Sequence, residues 1–302
     1  MSKPTQRLAG IVPALVTPFA ANGKLDAASL ERQIAHQIEA GAHGALILGL
    51  AGEGIYLTQD EREHVADVAF AAAGDDLPLL VGCTADSTEE AVALVRSAAR
   101  RNAAGVMVAP PRKPGFNSDE AFAHYGAVAE AAGSVEVMVQ DAPFAIGVEL
   151  GVDLVLALSE RYANITAFKL EALPYWDAAM RTRAVAGDRL RMFGGHAGLY
   201  LMDVIDSQAA GLIPGADVTA SLVTAWKAAE RGDRIAAHAV YLRLLPLLVY
   251  QAQSMGTLIG SAKTILQHRG IIATTESRHP QGILSQTSAS RVLELAQLAA
   301  EV

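Results

Sequence analysis

Short apolar runs recur along the chain: GIVPALVTP from Gly10, GALILGL from Gly44, PLLVGCT from Pro78, GVMVAPP from Gly105, VEVMVQDAP from Val135, ITAFKLE from Ile165, LRMFGG from Leu190 and AAGLIPG from Ala209. There are eight of them. Each is brief and rich in Val, Ile and Leu, which is how a strand buried on both faces of a parallel sheet reads. Alanine-rich amphipathic segments lie between them. Helix-start side chains precede two of these segments, Asp26 before AASLERQIAHQIEAG and Ser87 before TEEAVALVRSAARR, and glycine closes several, at Gly41, Gly74 and Gly133. Strand and helix alternate with a repeat of about 30 residues, the spacing of βα units. The pattern predicts an α/β fold, a closed (β/α)₈ barrel over residues 1–218, with a doubly wound open sheet as the competing arrangement. Beyond residue 218 the strand pattern stops. Three helical segments, SLVTAWKAAERGDRIAAHAVYLRLLPLLVY, TLIGSAKTILQHRG and SASRVLELAQLAAEV, predict an appended helical region over residues 219–302.

One run breaks its own pattern. In NITAFKLEALPYW, residues 164–176, a lysine and a glutamate interrupt apolar positions, and an extended chain puts Ile165, Ala167, Lys169 and Glu171 on one face. Of the six lysines, Lys3, Lys24, Lys113, Lys169, Lys227 and Lys263, only Lys169 sits inside a strand-like run. Reactive groups of a (β/α)₈ barrel come from the C-terminal strand ends and the loops beyond them. The polar residues there are Thr17, Glu53, Thr84, Asp86, Arg112, Gln140, Asp141, Lys169, Glu171 and His196.

A lysine facing a barrel interior loses hydration, which favours the neutral amine, able to attack a carbonyl and form a Schiff base. The competing role for Lys169 is a buried ion pair with Glu171 or Glu53 that closes the barrel mouth. Glu171 is either a proton shuttle at an imine or leaving hydroxyl, or the counter-ion of Lys169. The glycine-rich GLAGEG, Gly49 to Gly54, offers backbone N–H groups that can grip a carboxylate, although a plain βα loop is the commoner outcome, and its glycine spacing does not match a dinucleotide fingerprint. Gln140 can donate a hydrogen bond to a substrate oxygen and Asp141 can bind substrate or cap its loop. Gly194 and Gly195 permit a ligand to approach the backbone closely. His196 reads more simply as a surface or capping residue.

Composition narrows the partners. A net charge of −8 and a pI near 5.5, with no basic stripe, argue against nucleic acid and acidic membrane surfaces and leave small molecules. Cys83 is the only cysteine, so no intramolecular disulfide is possible, and it reads as a small buried hydrophobe. The N-terminal apolar run is broken by Pro13 and Pro18, which does not suit a secretory leader, and no run reaches the roughly 18 apolar residues of a membrane helix. A cytoplasmic protein is expected. No HxH, HExxH or paired-cysteine spacing suggests a metal.

With the strand-six lysine in place, the chain resembles the family of dihydrodipicolinate synthase and N-acetylneuraminate lyase. The resemblance spans nearly the whole chain: the opening GIVPALVTPF, GLAGEGIYLTQDER where the family has a G-x-x-G-E turn, the lysine itself, and AAGLIPG before the final helices. It implies a (β/α)₈ barrel with added helices, a Schiff base between Lys169 and the keto carbon of pyruvate or another 2-keto acid, and a turn at Ala51, Gly52 and Glu53 beside the substrate carboxylate. It also implies a homotetramer or homodimer and no metal or organic cofactor. Several family residues are replaced. Leu50 and Ala51 stand where two hydroxyl residues are usual, Gln140 stands where a tyrosine ends strand five, and Pro111 and Arg112 stand where an interface tyrosine is usual. FAIGVEL holds no counterpart of the arginine that binds a second carboxylate. The segments VQDAP, FKLE and SAKTILQHRGII are similar to the branch of 2-keto-3-deoxy sugar-acid dehydratases, in which Glu171 is the expected replacement for the tyrosine. The resemblance therefore implies a lyase on a 2-keto-3-deoxy acid. The alternatives are a synthase condensing pyruvate with aspartate semialdehyde, and a keto-acid sensor that has lost catalysis.

Overall fold

Eight parallel strands stand where the apolar runs predict them: β1 Gly10–Ile11, β2 Ala45–Ile47, β3 Leu79–Gly82, β4 Gly105–Val108, β5 Val137–Asp141, β6 Ile165–Leu170, β7 Arg191–Gly194 and β8 Gly211–Leu212. The computed structural model describes residues 7–113 and 115–300, so Lys3, Pro114 and both chain ends lie outside the described residues. Each strand from β2 to β8 pairs in parallel with the next, and β8 pairs with β1. The ring closes through Ala14, which bridges Leu46 of β2 on one side and Gly215 on the other. Pro13 leaves β1 only two residues long, and its carbonyl still accepts from Leu46 N at 2.8 Å across the seam. The closed barrel, not the open sheet, is the architecture.

The strands alternate as a closed barrel requires. Val12, Leu46, Leu80, Met107, Met138, Ala167 and Phe193 fill the interior. Ile47, Val81, Val106, Val139 and Phe168 face outward into the layer of helices. The sequence places Ile165 on the face of Lys169, and the structure corrects this. Register shifts by one residue where Val137 pairs Ile165 and Met138 pairs Ala167, so Thr166 is extra and Ile165 joins the outer layer. Ala167 and Lys169 keep the inward parity.

The helices that cover the sheet start as their caps dictate. α1 (Ala27–Glu39) is capped by Asp26, α2 (Gln59–Ala73) by a Thr58–Glu61 capping box, α3 (Thr88–Arg100) by Ser87 and α4 (Ser118–Ala132) by an Asn117–Glu120 box. α5 (Pro143–Ile146) is a single turn, followed by α6 (Gly151–Arg161), α7 (Tyr175–Ala186) and α8 (Leu201–Asp206). Past residue 218 there are four helices rather than three: α9 (Thr219–Glu230), α10 (Arg234–Gln251), α11 (Met255–His268) and α12 (Gln286–Ala300). The break falls at Arg231–Asp233, where Gly232 takes φ +80° and Asp233 caps the new helix by accepting from Ala236 N. α9 directly follows β8 and packs against β1, so it stands in the ring as the barrel's eighth covering helix. We therefore propose that the appended region begins at α10.

One buried group in this layer links stability to pH. His124 on α4 is shut from solvent, with Nδ1 2.9 Å from Thr88 Oγ1 and Nε2 unpaired, and burial pulls its pKa down to about 4. The folded state therefore resists the proton that the unfolded chain accepts below the ordinary histidine value. Stability contributed by neutral His124 is full above that value and declines as pH falls, by on the order of 3 kcal/mol at pH 4. Urea unfolding of His124→Gln between pH 7 and 4 is expected to show a shallower decline than the parent chain.

Candidate active site

The lysine predicted from sequence points into a cavity at the C-terminal end of the barrel, where barrel chemistry is built. Lys169 lies opposite Gln140 of β5 on one side and Phe193 of β7 on the other, and it is nearly shut from solvent. Glu171 follows one residue past the end of β6. Its own N–H still donates to the Asp141 carbonyl at 3.0 Å, which extends the pairing by a rung and turns the carboxylate back over Lys169. Lys169 Nζ is 3.5 Å from Glu171 Oε1.

Two donors immobilise that carboxylate, and a third contact holds its backbone. Gln140 Nε2 donates to Oε2 at 2.9 Å, and the His196 backbone N–H donates to Oε1 at 3.0 Å. His196 Nε2 lies 2.9 Å from the Glu171 carbonyl oxygen, which requires the proton on that nitrogen. The left-handed backbone of His196 and Ala197, φ +51° and +59°, is what aims the N–H at the carboxylate. Burial pushes the Glu171 carboxyl up, but the Lys169 ammonium, the Gln140 amide and the His196 N–H outweigh it and hold the group below the ordinary glutamate range. Glu171 is thus an ionised, oriented base against the amine.

The glycines after β7 serve this arrangement rather than a ligand. A Cβ on Gly195 would sit 2.1 Å from Glu171 Oε1, so only glycine leaves room for the carboxylate. At Gly194 a Cβ would meet Val204 Cγ2 at 2.3 Å, which is helix packing. Neither lines the cavity, in correction of the ligand-approach reading. Asp141, also read as a substrate contact, instead accepts from Leu150 N at 3.1 Å and Gly151 N at 3.0 Å at the start of α6. Its carboxyl is pushed up by burial, and nearby Glu149 and Glu171 add to this against the two N–H bonds.

Glu53 is taken up by other partners, and Gly52 by the packing of its turn. The Glu53 carboxylate is fully buried and makes an ion pair with Lys263 of α11, while accepting from Ser277 Oγ at 2.7 Å, Arg278 N at 2.6 Å and His279 N at 2.9 Å. It has no capacity left for a substrate. A Cβ on Gly52 would come within 2.9 Å of the Leu15 carbonyl, and one on Gly54 within 2.2 Å of the Leu48 carbonyl, so these glycines let the turn nest on the barrel rim. From this turn Leu50 and Ala51 reach the cavity. Lys263 also donates to the Glu276 carbonyl at 2.6 Å and lies over the Phe19 ring. The pair thereby locks α11 and the 276–279 loop to the barrel. Removing one partner leaves a buried charge unpaired, and Lys263→Ala is expected to cost about 3–5 kcal/mol, read as a fall in the urea midpoint.

Sequence reasoning missed the wall supplied by the C-terminal helices, where Gln251, Ser254, Met255 and Leu258 line the cavity. A signal was present. Gln251 shares the buried stripe of α10 with Leu244, Leu247 and Leu248, and Lys263 shares that of α11 with Ile259, Ala262 and Leu266. A polar residue on an apolar stripe marks a partnered or functional group. No arginine lines the cavity among the described residues, and Lys169 is its lysine. A wider groove opens at the opposite end of the barrel around Glu136, Asn164 and Thr166, away from all of these groups. Among the described residues no cluster of three His, Cys, Asp or Glu side chains could hold a metal ion, and no helix is long and apolar enough to cross a membrane.

Residues 7–299 match the model of the dihydrodipicolinate synthetase family. The chain belongs to that family. It is accordingly a lyase of the class I aldolase type. Among curated relatives, an L-2-keto-3-deoxyarabonate dehydratase from Azospirillum brasilense is 29% identical over 98% of this chain and 96% of its own length. A 4-hydroxy-tetrahydrodipicolinate synthase from Synechococcus sp. (strain CC9902) is 31% identical over 78% of each chain. The crystal structure of dihydrodipicolinate synthase from Rhodopseudomonas palustris superposes with a TM-score of 0.89 at 27% identity, covering 96% of this chain and 97% of that one.

Proposed function

We propose that the chain is a Schiff-base dehydratase or aldolase acting on a 2-keto-3-deoxy sugar acid, with Lys169 as the nucleophile and Glu171 as the acid/base. The observation that carries it is the Glu171 carboxylate, held 3.5 Å from Lys169 by Gln140 and the His196 N–H, with Gln140 standing where the family has a tyrosine. Lys169 passes its ammonium proton to Glu171 and the amine adds to C2 of the keto acid; Glu171 returns that proton to the carbinolamine hydroxyl, which leaves as water and gives an iminium whose positive charge withdraws electrons from C3. Glu171 takes a proton from C3, an enamine forms, and the enamine expels the C4 hydroxyl, to which Glu171 returns that proton so that it departs as water. In the aldolase direction Glu171 takes the C4 hydroxyl proton and the C3–C4 bond breaks. Backbone N–H groups of the Leu50–Ala51 turn receive the substrate carboxylate.

The lack of an arginine in the cavity favours a neutral hydroxylated tail over a second carboxylate. Trp176 and Met180, which share an exposed face of α7, support assembly into a homotetramer or homodimer. A reducing cytoplasm suits the lone buried Cys83. Incubation with 2-keto-3-deoxypentonates, followed by proton NMR and a lactate dehydrogenase assay for pyruvate, tests the reading. Dehydration consumes the acid without releasing pyruvate, and aldol cleavage releases it. Turnover only with pyruvate plus aspartate semialdehyde would replace this reading with the synthase.

A further inference from the structure

Two glutamines line the catalytic cavity, Gln140 at the end of β5 and Gln251 at the end of α10. Both are essentially closed to bulk solvent. Each gives its amide N–H₂ to a buried carboxylate: Gln140 to Glu171 at 2.9 Å, and Gln251 to Asp217 Oδ2 at 2.7 Å. Each therefore leaves its amide oxygen without a hydrogen-bond partner. A buried acceptor without a donor is costly to keep, and in a cavity wall it is commonly matched by a ligand. Gln140 is already explained by its hold on Glu171. Gln251 is not, because it touches neither Lys169 nor Glu171 and belongs to a helix outside the barrel.

We infer that Gln251, oriented by Asp217, is a specificity-determining residue whose amide oxygen accepts a hydrogen bond from a hydroxyl on the substrate's tail, beyond the keto carbon. The inference rests on the sugar-acid reading of the site and adds to it the group that reads the tail. Asp217 fixes which face of the amide is offered. The Gln251 N–H₂ donates to Asp217 Oδ2, so the carbonyl is the end left over, and a carbonyl can satisfy a hydroxyl donor but not another acceptor. Asp217 is itself set in place, since Arg269 donates to its backbone carbonyl and Gly215 leaves room for Oδ1, which a Cβ there would approach to 2.7 Å. The chemistry recognised is a polyhydroxy 2-keto acid, as opposed to a keto acid whose tail is apolar or ends in an aldehyde.

Borohydride trapping reads occupancy of the lysine independently of turnover, so it separates this inference from the reaction type. The measurement is the half-saturating concentration for trapping pyruvate, 2-oxopentanoate and a 2-keto-3-deoxypentonate. In the parent chain the pentonate is expected to trap at about tenfold lower concentration than 2-oxopentanoate, which lacks its hydroxyls. In Gln251→Met, which keeps length without an acceptor, the pentonate-to-pyruvate ratio of half-saturating concentrations is expected to rise about three- to tenfold, with Gln251→Asn between the two. An unchanged ratio in Gln251→Met, or a parent chain that traps 2-oxopentanoate as well as the pentonate, overturns the inference while leaving the Schiff base standing. The parent-chain comparison decides the matter even if the variant does not fold. Failure of every keto acid to trap overturns both the inference and the Schiff-base reading, whereas trapping with this selectivity but no turnover overturns only the proposed reaction.

Discussion

Lys169→Ala is expected to reduce kcat/KM on a 2-keto-3-deoxy acid by at least about 10⁴-fold, as loss of a covalent nucleophile does in other enzymes. The iminium is the only electron sink the proposed reaction has, so no neighbouring group can substitute for it. Lys263 is the other buried lysine described, but it is committed to Glu53 and the Glu276 carbonyl and does not line the cavity. Folding should survive the substitution. Removing Lys169 leaves the Glu171 carboxylate still bonded to Gln140 and the His196 N–H, so a circular dichroism spectrum close to that of the parent is expected alongside the lost activity.

Glu171→Gln is expected to lower kcat by about 10²- to 10⁴-fold, the range for a positioned acid/base, while the variant still forms an adduct with pyruvate. This split distinguishes proton transfer from a counter-ion role, since a mere counter-ion would affect adduct formation as much as turnover. The substitution also carries a structural cost. Both carboxylate oxygens receive donors, Gln140 Nε2 and the His196 N–H, so one of them must face the new amide N–H₂. That mismatch costs about 1–3 kcal/mol, visible in thermal unfolding. The pH profile follows from the same contacts. Glu171 is held below the ordinary glutamate range, so the acidic limb of kcat/KM is expected below about pH 4.3 rather than above it. The stability that these contacts give is full above the unfolded-state glutamate value and is lost as pH falls through the lower folded value.

The barrel was legible because its information is local. Apolar runs, caps at Asp26 and Ser87 and a 30-residue period each refer to adjacent residues. Lys169 and Glu171 were legible for the same reason, being two apart on one strand end. Ile165 was misplaced because a bulge in β6 is set by register with β5, which strand parity alone does not encode. The partners that occupy Glu53 and Gly195 are long-range, whereas Asp141 is taken up by nearby Leu150 and Gly151 and Gly194 by Val204. Glu53 meets Lys263 across 210 residues, and Gly195 yields its space to a side chain from another strand end. The C-terminal wall of the cavity was invisible because α10 and α11 meet the barrel mouth only after folding. Gln251 and Lys263 were nonetheless marked as polar residues on apolar stripes.

The central claim is that Lys169 captures the keto carbon. Incubation with pyruvate and borohydride, proteolysis and mass mapping of the reduced adduct tests it most directly. The predicted result is one adduct per chain, on the peptide bearing Lys169 and absent from Lys169→Ala. An adduct on Lys263, one that persists in Lys169→Ala, or none at saturating pyruvate would contradict it.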